Sequence, residues 1–171
     1  MKVILFLCIS IIFSACNANN TSTNNSADTS ALESSSGIEP KEILISSANI
    51  RDIRVSGAEG SYTFSVKVES YDKGCEYFAN WWEVLREDGS LVYRRILFHS
   101  HVSEQPFTRS GGSVNIKEDE VVYIRAHMNH NGYGPNQFVG SVAKGFSEVA
   151  VNKVIESSIE LQEPQEQGCA F

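Results

Sequence analysis

The sequence predicts an all-β fold, an antiparallel sandwich of short strands. Three observations predict it. Apolar and polar residues alternate with period two, most clearly from Ser61 to Ser70, where Tyr62, Phe64, Val66 and Val68 share one face and Thr63, Ser65, Lys67 and Glu69 the other. Turn residues recur at short intervals, at Gly57 to Gly60, Asp88-Gly89, Gly111-Gly112 and Asn129 to Asn136, and cut the chain into pieces of strand length. One piece, Glu76 to Arg86, carries Tyr77, Phe78, Trp81, Trp82, Val84 and Leu85, aromatic on both faces, and the Asp88-Gly89 turn that follows makes it half of a hairpin.

The elements follow in order. Ile43 to Val55 reads as a first strand through Ile45, Ile50, Ile53 and Val55, and the Gly57 to Gly60 turn leads into the second, Ser61 to Ser70. Glu76 to Arg86 is the third. Asp88-Gly89 turns it, because glycine tolerates positive φ and aspartate nearly does, and the chain returns through Leu91 to Val102. Gly111-Gly112 breaks the chain, Val114 and Ile116 make a short strand, and Val121 to Met128 makes another. Asn129 to Asn136 is a loop into Gln137 to Ala143. Residues 146–161 fit both a helical stripe (Phe146, Val149, Ala150, Val154) and an alternating one; a strand is the preferred reading.

Some seven short strands spaced by turn signals, with tryptophan on the third, resemble an immunoglobulin or fibronectin type III sandwich over most of residues 43–145. No cysteine pair brackets the tryptophan, as it would in an antibody domain. A jelly roll of the cupin kind is the rival architecture.

The N-terminus has a separate logic. Lys2 is followed by an apolar run from Val3 to Phe13, then Ser14, Ala15 and Cys16. This is the order of a secretory leader, and the run is too short to cross about 30 Å of hydrocarbon as a helix. Small residues directly before a cysteine resemble the lipobox of bacterial lipoproteins. That resemblance implies a leader over residues 1–15, removed on export, and a diacylglycerylated Cys16 as the mature N-terminus, with fatty acyl chains such as palmitate in the membrane. Asn17, standing where aspartate is the usual inner-membrane retention signal of that class, points to the outer membrane of a bacterial cell envelope.

Residues 16–37 are rich in Asn, Ser and Thr and hold almost nothing that could be buried, so they are expected to form a disordered tether. Residues 38–171 suit a single domain with a core of its own. The chain carries a formal charge of −7, and losing Lys2 with the leader makes the mature protein about −8. An acidic domain repels phosphate backbones, which disfavours nucleic acid as a partner. The lipid is the expected membrane contact, and a protein or glycan is the class of ligand left open. With Cys8 in the leader and Cys16 acylated, Cys75 and Cys169 remain, and in an oxidising compartment a disulfide between them is the economical reading.

All four histidines fall between His99 and His130. His99 and His101 are two apart, so on a strand they point the same way, and His127 lies on a later strand. Three imidazoles so placed could bind Zn²⁺ or Cu²⁺, with Glu104 as a carboxylate ligand. The set is similar to the cupin metal motif, although two residues rather than three or four separate His101 from Glu104. The rival reading places Tyr93, Arg95, His99 and His101 on one strand face, and Tyr123, Arg125 and His127 on another, as the solvated surface of a sheet.

Other chemistry is weaker. Ser100 lacks a nucleophile elbow, and Glu118, Asp119 and Glu120 lack the alternating spacing of a Ca²⁺ loop. The loops at Asn129 to Asn136 and Ser103 to Gly112, the latter with Phe107 and Arg109, are the expected recognition elements. The sequence thus favours a lipid-anchored, non-enzymatic binding or structural module. The alternative is a metal protein, or a cupin-like enzyme, built on His99, His101 and His127.

Overall fold

In the computed structural model, which describes residues 46–150 and 159–170, nine strands form two antiparallel sheets. They are β1 (Asn49–Ala58), β2 (Ser61–Glu69), β3 (Ala79–Arg86), β4 (Leu91–Ile96), β5 (Phe107–Val114), β6 (Val122–Met128), β7 (Gly132–Tyr133), β8 (Asn136–Ser141) and β9 (Gly145–Ala150). One sheet has the order β1-β2-β5, the other β4-β3-β6-β8-β9, with β7 paired to β6. The chain passes between sheets after β2, β4 and β5. That partition of strands is immunoglobulin-like.

The core lies between the sheets and uses the alternation seen in the sequence. Tyr62, Phe64, Val66 and Val68 of β2 are all buried, and they meet Trp82 and Val84 of β3 and Ile124, Ala126 and Met128 of β6. Trp82 is fully buried. At about 25 cal/mol per Å² of apolar surface removed from water, this layer is the main stabilising term of the fold. The β3–β4 connection is a tight turn in which Gly89 takes φ 81°.

Several boundaries differ from expectation. β1 begins at Asn49 and β3 at Ala79, and Ile43 to Ile45 lie outside the described residues. β4 ends at Ile96. The Leu97 N–H bonds the Asn80 carbonyl at 2.8 Å, and β3 then offers no further partner. His99 and His101 are therefore on the connection to β5, not on a strand.

Ser103 to Gly112 is not simply a loop, because Phe107–Val114 is a full strand. It pairs with β2 from Val68↔Phe107 to Tyr62↔Val114 and buries Phe107. Gly111-Gly112 does not break it. A Cβ on Gly112 would stand 2.6 Å from the Tyr62 carbonyl oxygen, so glycine here permits close backbone approach across the sheet. Of residues 146–161, the first five belong to β9, 151–158 lie outside the described residues, and a turn begins at Ile159.

Candidate functional site

The unusual chemistry sits on the face of the larger sheet turned away from the core. β3 is central there, with β4 on one side and β6 on the other. Its register sets Glu83 opposite Arg94 of β4 and Arg125 of β6, in a row of three. Glu83 Oε2 accepts from Arg94 Nε at 2.8 Å, and Oε1 accepts from Arg125 Nε at 2.8 Å. All three side chains are completely buried. One carboxylate faces two guanidinium groups; carbonyls meet the rest of Arg94, whereas among the described residues neither Nη of Arg125 has a hydrogen-bond partner.

Arg94 Nη2 donates to the Ile159 carbonyl at 2.7 Å, and Nη1 donates to those of Gln162 and Pro164 at 2.6 and 3.2 Å. Its guanidinium carbon lies 4.5 Å from the centre of the Trp81 ring. That of Arg125 lies 3.4 Å from the centre of the Tyr133 ring. Burial, with Glu83 beside it, pushes the Tyr133 hydroxyl above its ordinary range. His127 stacks flat on Trp81, ring centres 3.7 Å apart and planes 8° from parallel. Its Nδ1 is 2.7 Å from Asn80 Oδ1, and its Nε2 is 3.4 Å from Glu160 Oε1. Burial, with Arg94 and Arg125 near, holds its pKa down to about 3, so the ring is neutral at neutral pH.

The C-terminal segment 159–170 lies along this face as a strap. Besides the three bonds to Arg94, Asn80 Nδ2 donates to Glu166 Oε2 at 3.0 Å, and the Ala170 N–H donates to the Phe98 carbonyl. The Cys75–Cys169 disulfide, the pairing expected from the sequence, fastens its end.

This corrects the reading of a solvated face. Arg125 and His127 are buried, at 0 and 6% exposure. Nor do the two sets of residues match: Arg94, not Arg95, shares the face of Arg125. Arg95 and Tyr93 turn toward β5, where Arg95 Nε donates to the Ser110 carbonyl and Tyr93 lies against Gly111. The sequence reading missed Trp81, Glu83, Arg94 and Tyr133. One signal could have found them: a carboxylate in the middle of Trp81-Trp82-Glu83-Val84-Leu85, where every position is buried, requires buried cations.

The histidines proposed as metal ligands are only partly brought together. His99 and His101 have ring centres 4.5 Å apart, while His127 is engaged by Trp81 and Asn80 on the outer face. Among the described residues no three His, Cys, Asp or Glu side chains form a group that could hold a metal ion. His101 stacks on Phe107 at 3.7 Å, and its N–H donates to Asp72 Oδ2 at 2.7 Å. Burial pushes the Asp72 carboxyl up, but the His101 ring and amide, the Ser70 hydroxyl and the Ala79 amide outweigh it and leave the group below its usual range. Glu104 lies instead against Arg109, at 2.8 and 3.2 Å, on the surface. Cys16 lies outside the described residues.

No protein-family model matches the chain. Over 109 residues it is 34% identical to a protein of Halomicrobium mukohataei named "Putative lipoprotein", a match covering 63% of this chain and 53% of the relative. The chain thus spans about half the length of the curated relative it matches. Among solved structures, two variants of superoxide reductase (neelaredoxin) from Ignicoccus hospitalis align with TM-scores of 0.38 and 0.37 at 14 and 15% identity. These alignments cover 66 and 68% of this chain and 85 and 88% of those chains.

Proposed function

We propose that the chain is a lipoprotein of the cell envelope, acylated at Cys16, whose sandwich serves as a non-catalytic binding or structural module. The observation that carries this reading is the run from Lys2 through Val3 to Phe13 into Ser14-Ala15-Cys16. The name of the haloarchaeal relative supports the lipoprotein part. Two acyl chains give stable anchoring, since each buried methylene contributes about 0.8 kcal/mol. In a cell with two membranes, Asn17 favours the outer one.

A non-catalytic role is supported by how the ionisable groups are used. Glu83 is bonded to two arginines, Arg94 to the strap and His127 to Asn80, so their hydrogen-bonding capacity goes into the fold. The test is Cys16→Ser in the full chain. The wild-type protein should enter the detergent phase and carry a diacylglyceryl mass, and the variant should stay aqueous. Equal partitioning of the two would overturn the reading.

A further inference from the structure

Both sheets have the same two ends, and the ends differ in chemistry. One end holds the turns after β1, β3, β5 and β8, which carry Glu59, Glu87, Asp88, Glu118, Asp119 and Glu120 against Lys117 and Lys144. The other holds the β2–β3, β4–β5 and β6–β8 connections, and here large apolar side chains stand in water. Tyr71 is 48% exposed, Phe98 52% and Val102 59%.

The two loops that carry them are tied together. The His101 N–H bonds Asp72, and the Gly74 N–H bonds Ser100 Oγ at 3.2 Å. Lys73 Nζ stands 4.6 Å from the centre of the Tyr71 ring and 5.3 Å from that of Tyr77. Two tyrosines beside a lysine, with Phe98 and Val102 exposed on the neighbouring loop, are side chains of the amphipathic kind that suit a membrane interface.

The chain also enters at this end. The Ser46 carbonyl accepts from Tyr77 Oη at 2.9 Å and from Asn131 Nδ2 at 3.0 Å, immediately beside the Lys73 stack. Ser46 follows Cys16 by 30 positions in the chain. Because the described chain joins the domain at this end, a lipid at Cys16 draws the Tyr71 end toward the bilayer, while the excess of carboxylates at the other end disfavours contact with anionic headgroups.

We infer that the loop end bearing Tyr71, Lys73, Phe98 and Val102 rests on the bilayer interface, so the lipid positions the domain as well as retaining it. This rests on the lipid-anchor reading. The outward end is then the acidic one, with the Gly57–Gly60 and Glu87–Ser90 turns facing away from the membrane.

The experiment is hydrogen exchange read by mass spectrometry on the full lipidated chain. It is reconstituted in vesicles of phosphatidylethanolamine and phosphatidylglycerol and compared with unlipidated Cys16→Ser in solution. Exchange in residues 70–78 and 97–104 should slow by on the order of tenfold in vesicles, with residues 57–60 and 87–90 unchanged. Tyr71→Ser/Phe98→Ser should still sediment with vesicles through its lipid while losing that protection. Equal exchange at both ends would overturn the inference and leave the anchor standing. Protection that grows with concentration in vesicle-free Cys16→Ser would assign the patch to a second copy, which also overturns it. An unmodified Cys16 by intact mass would remove the anchor, and the docking with it.

Discussion

Trp81 and His127 lie ring on ring, 3.7 Å between centres, on neighbouring strands beneath the C-terminal strap. The surroundings of the stack keep the imidazole neutral. Burial disfavours the charged ring, Arg94 and Arg125 repel a proton, and the exposed Glu160 at 3.4 Å is the sole carboxylate within ion-pair range of the ring among the described residues.

The pH dependence follows in sign. Unfolded, His127 takes up a proton near pH 6.5; folded, only near pH 3. Its contribution is therefore complete above about pH 6.5 and is lost as the pH falls toward 3, with a slope of up to about 1.4 kcal/mol per unit. Asp72, whose carboxyl is held below its ordinary value, adds a loss only below about pH 4. Urea midpoints measured from pH 7 to 4.5 should fall steadily in the wild type. In His127→Gln they should start lower and stay nearly flat over that range.

Glu83 is the single carboxylate bonded to both Arg94 and Arg125, all three shut away from water. Glu83→Gln leaves two buried cations without their counter-charge and should destabilise by about 3–5 kcal/mol. Replacing all three with apolar residues, as in Glu83→Leu/Arg94→Met/Arg125→Met, should recover most of that loss, because the desolvation cost goes with the charges. Chemical denaturation separates the two outcomes. A triple variant no more stable than Glu83→Gln would mean that the cluster has value beyond charge balance, in ordering the strap.

The parts of this architecture that were legible had a local cause. β2 reads directly from the chain because one of its faces meets the opposite sheet, so burial follows parity through Tyr62, Phe64, Val66 and Val68. The β3–β4 turn is written in Asp88-Gly89. β5 was hidden because Thr108 to Ser113 are polar or glycine, with apolar residues only at Phe107 and Val114. The site was hidden for a non-local reason. Arg94 and Arg125 look like surface residues until a segment some 65 residues beyond Arg94 covers them. That strap has no periodicity, and nothing in Ile159 to Gln167 announces that its carbonyls accept from a buried guanidinium. The extra residue in β4 at the Val84/Leu85 irregularity further obscures which parity faces out.

Two glycines on the β8–β9 hairpin separate steric from conformational need. A Cβ on Gly140 would lie 2.0 Å from the Gly145 carbonyl oxygen, a backbone atom that cannot move without parting the strands. Gly145 takes φ 78° with open space around it, so its cost is conformational. Gly145→Ala should cost about 1–2 kcal/mol. Gly140→Ala should cost more, with faster amide exchange along β9. Equal effects in thermal melts would mean that the hairpin relaxes without loss.

The Cys75–Cys169 bond joins residues 94 apart and fastens the strap beyond Glu166. On the chain-entropy model, closing a loop of that size stabilises by about 4–5 kcal/mol. Cys169→Ser should lower the urea midpoint accordingly. The loss should also have a local part, because the strap then keeps its hydrogen bonds from Arg94, Asn80 and Ala170 and the buried Ile159 but loses its covalent tie. Cleavage after Glu160 or Glu166 by a glutamate-specific protease should accelerate in the variant under conditions where the rest of the domain stays folded. If cleavage accelerates only in proportion to global unfolding, the disulfide acts on the unfolded chain, and the hydrogen bonds and the buried Ile159 keep the strap closed over Glu83.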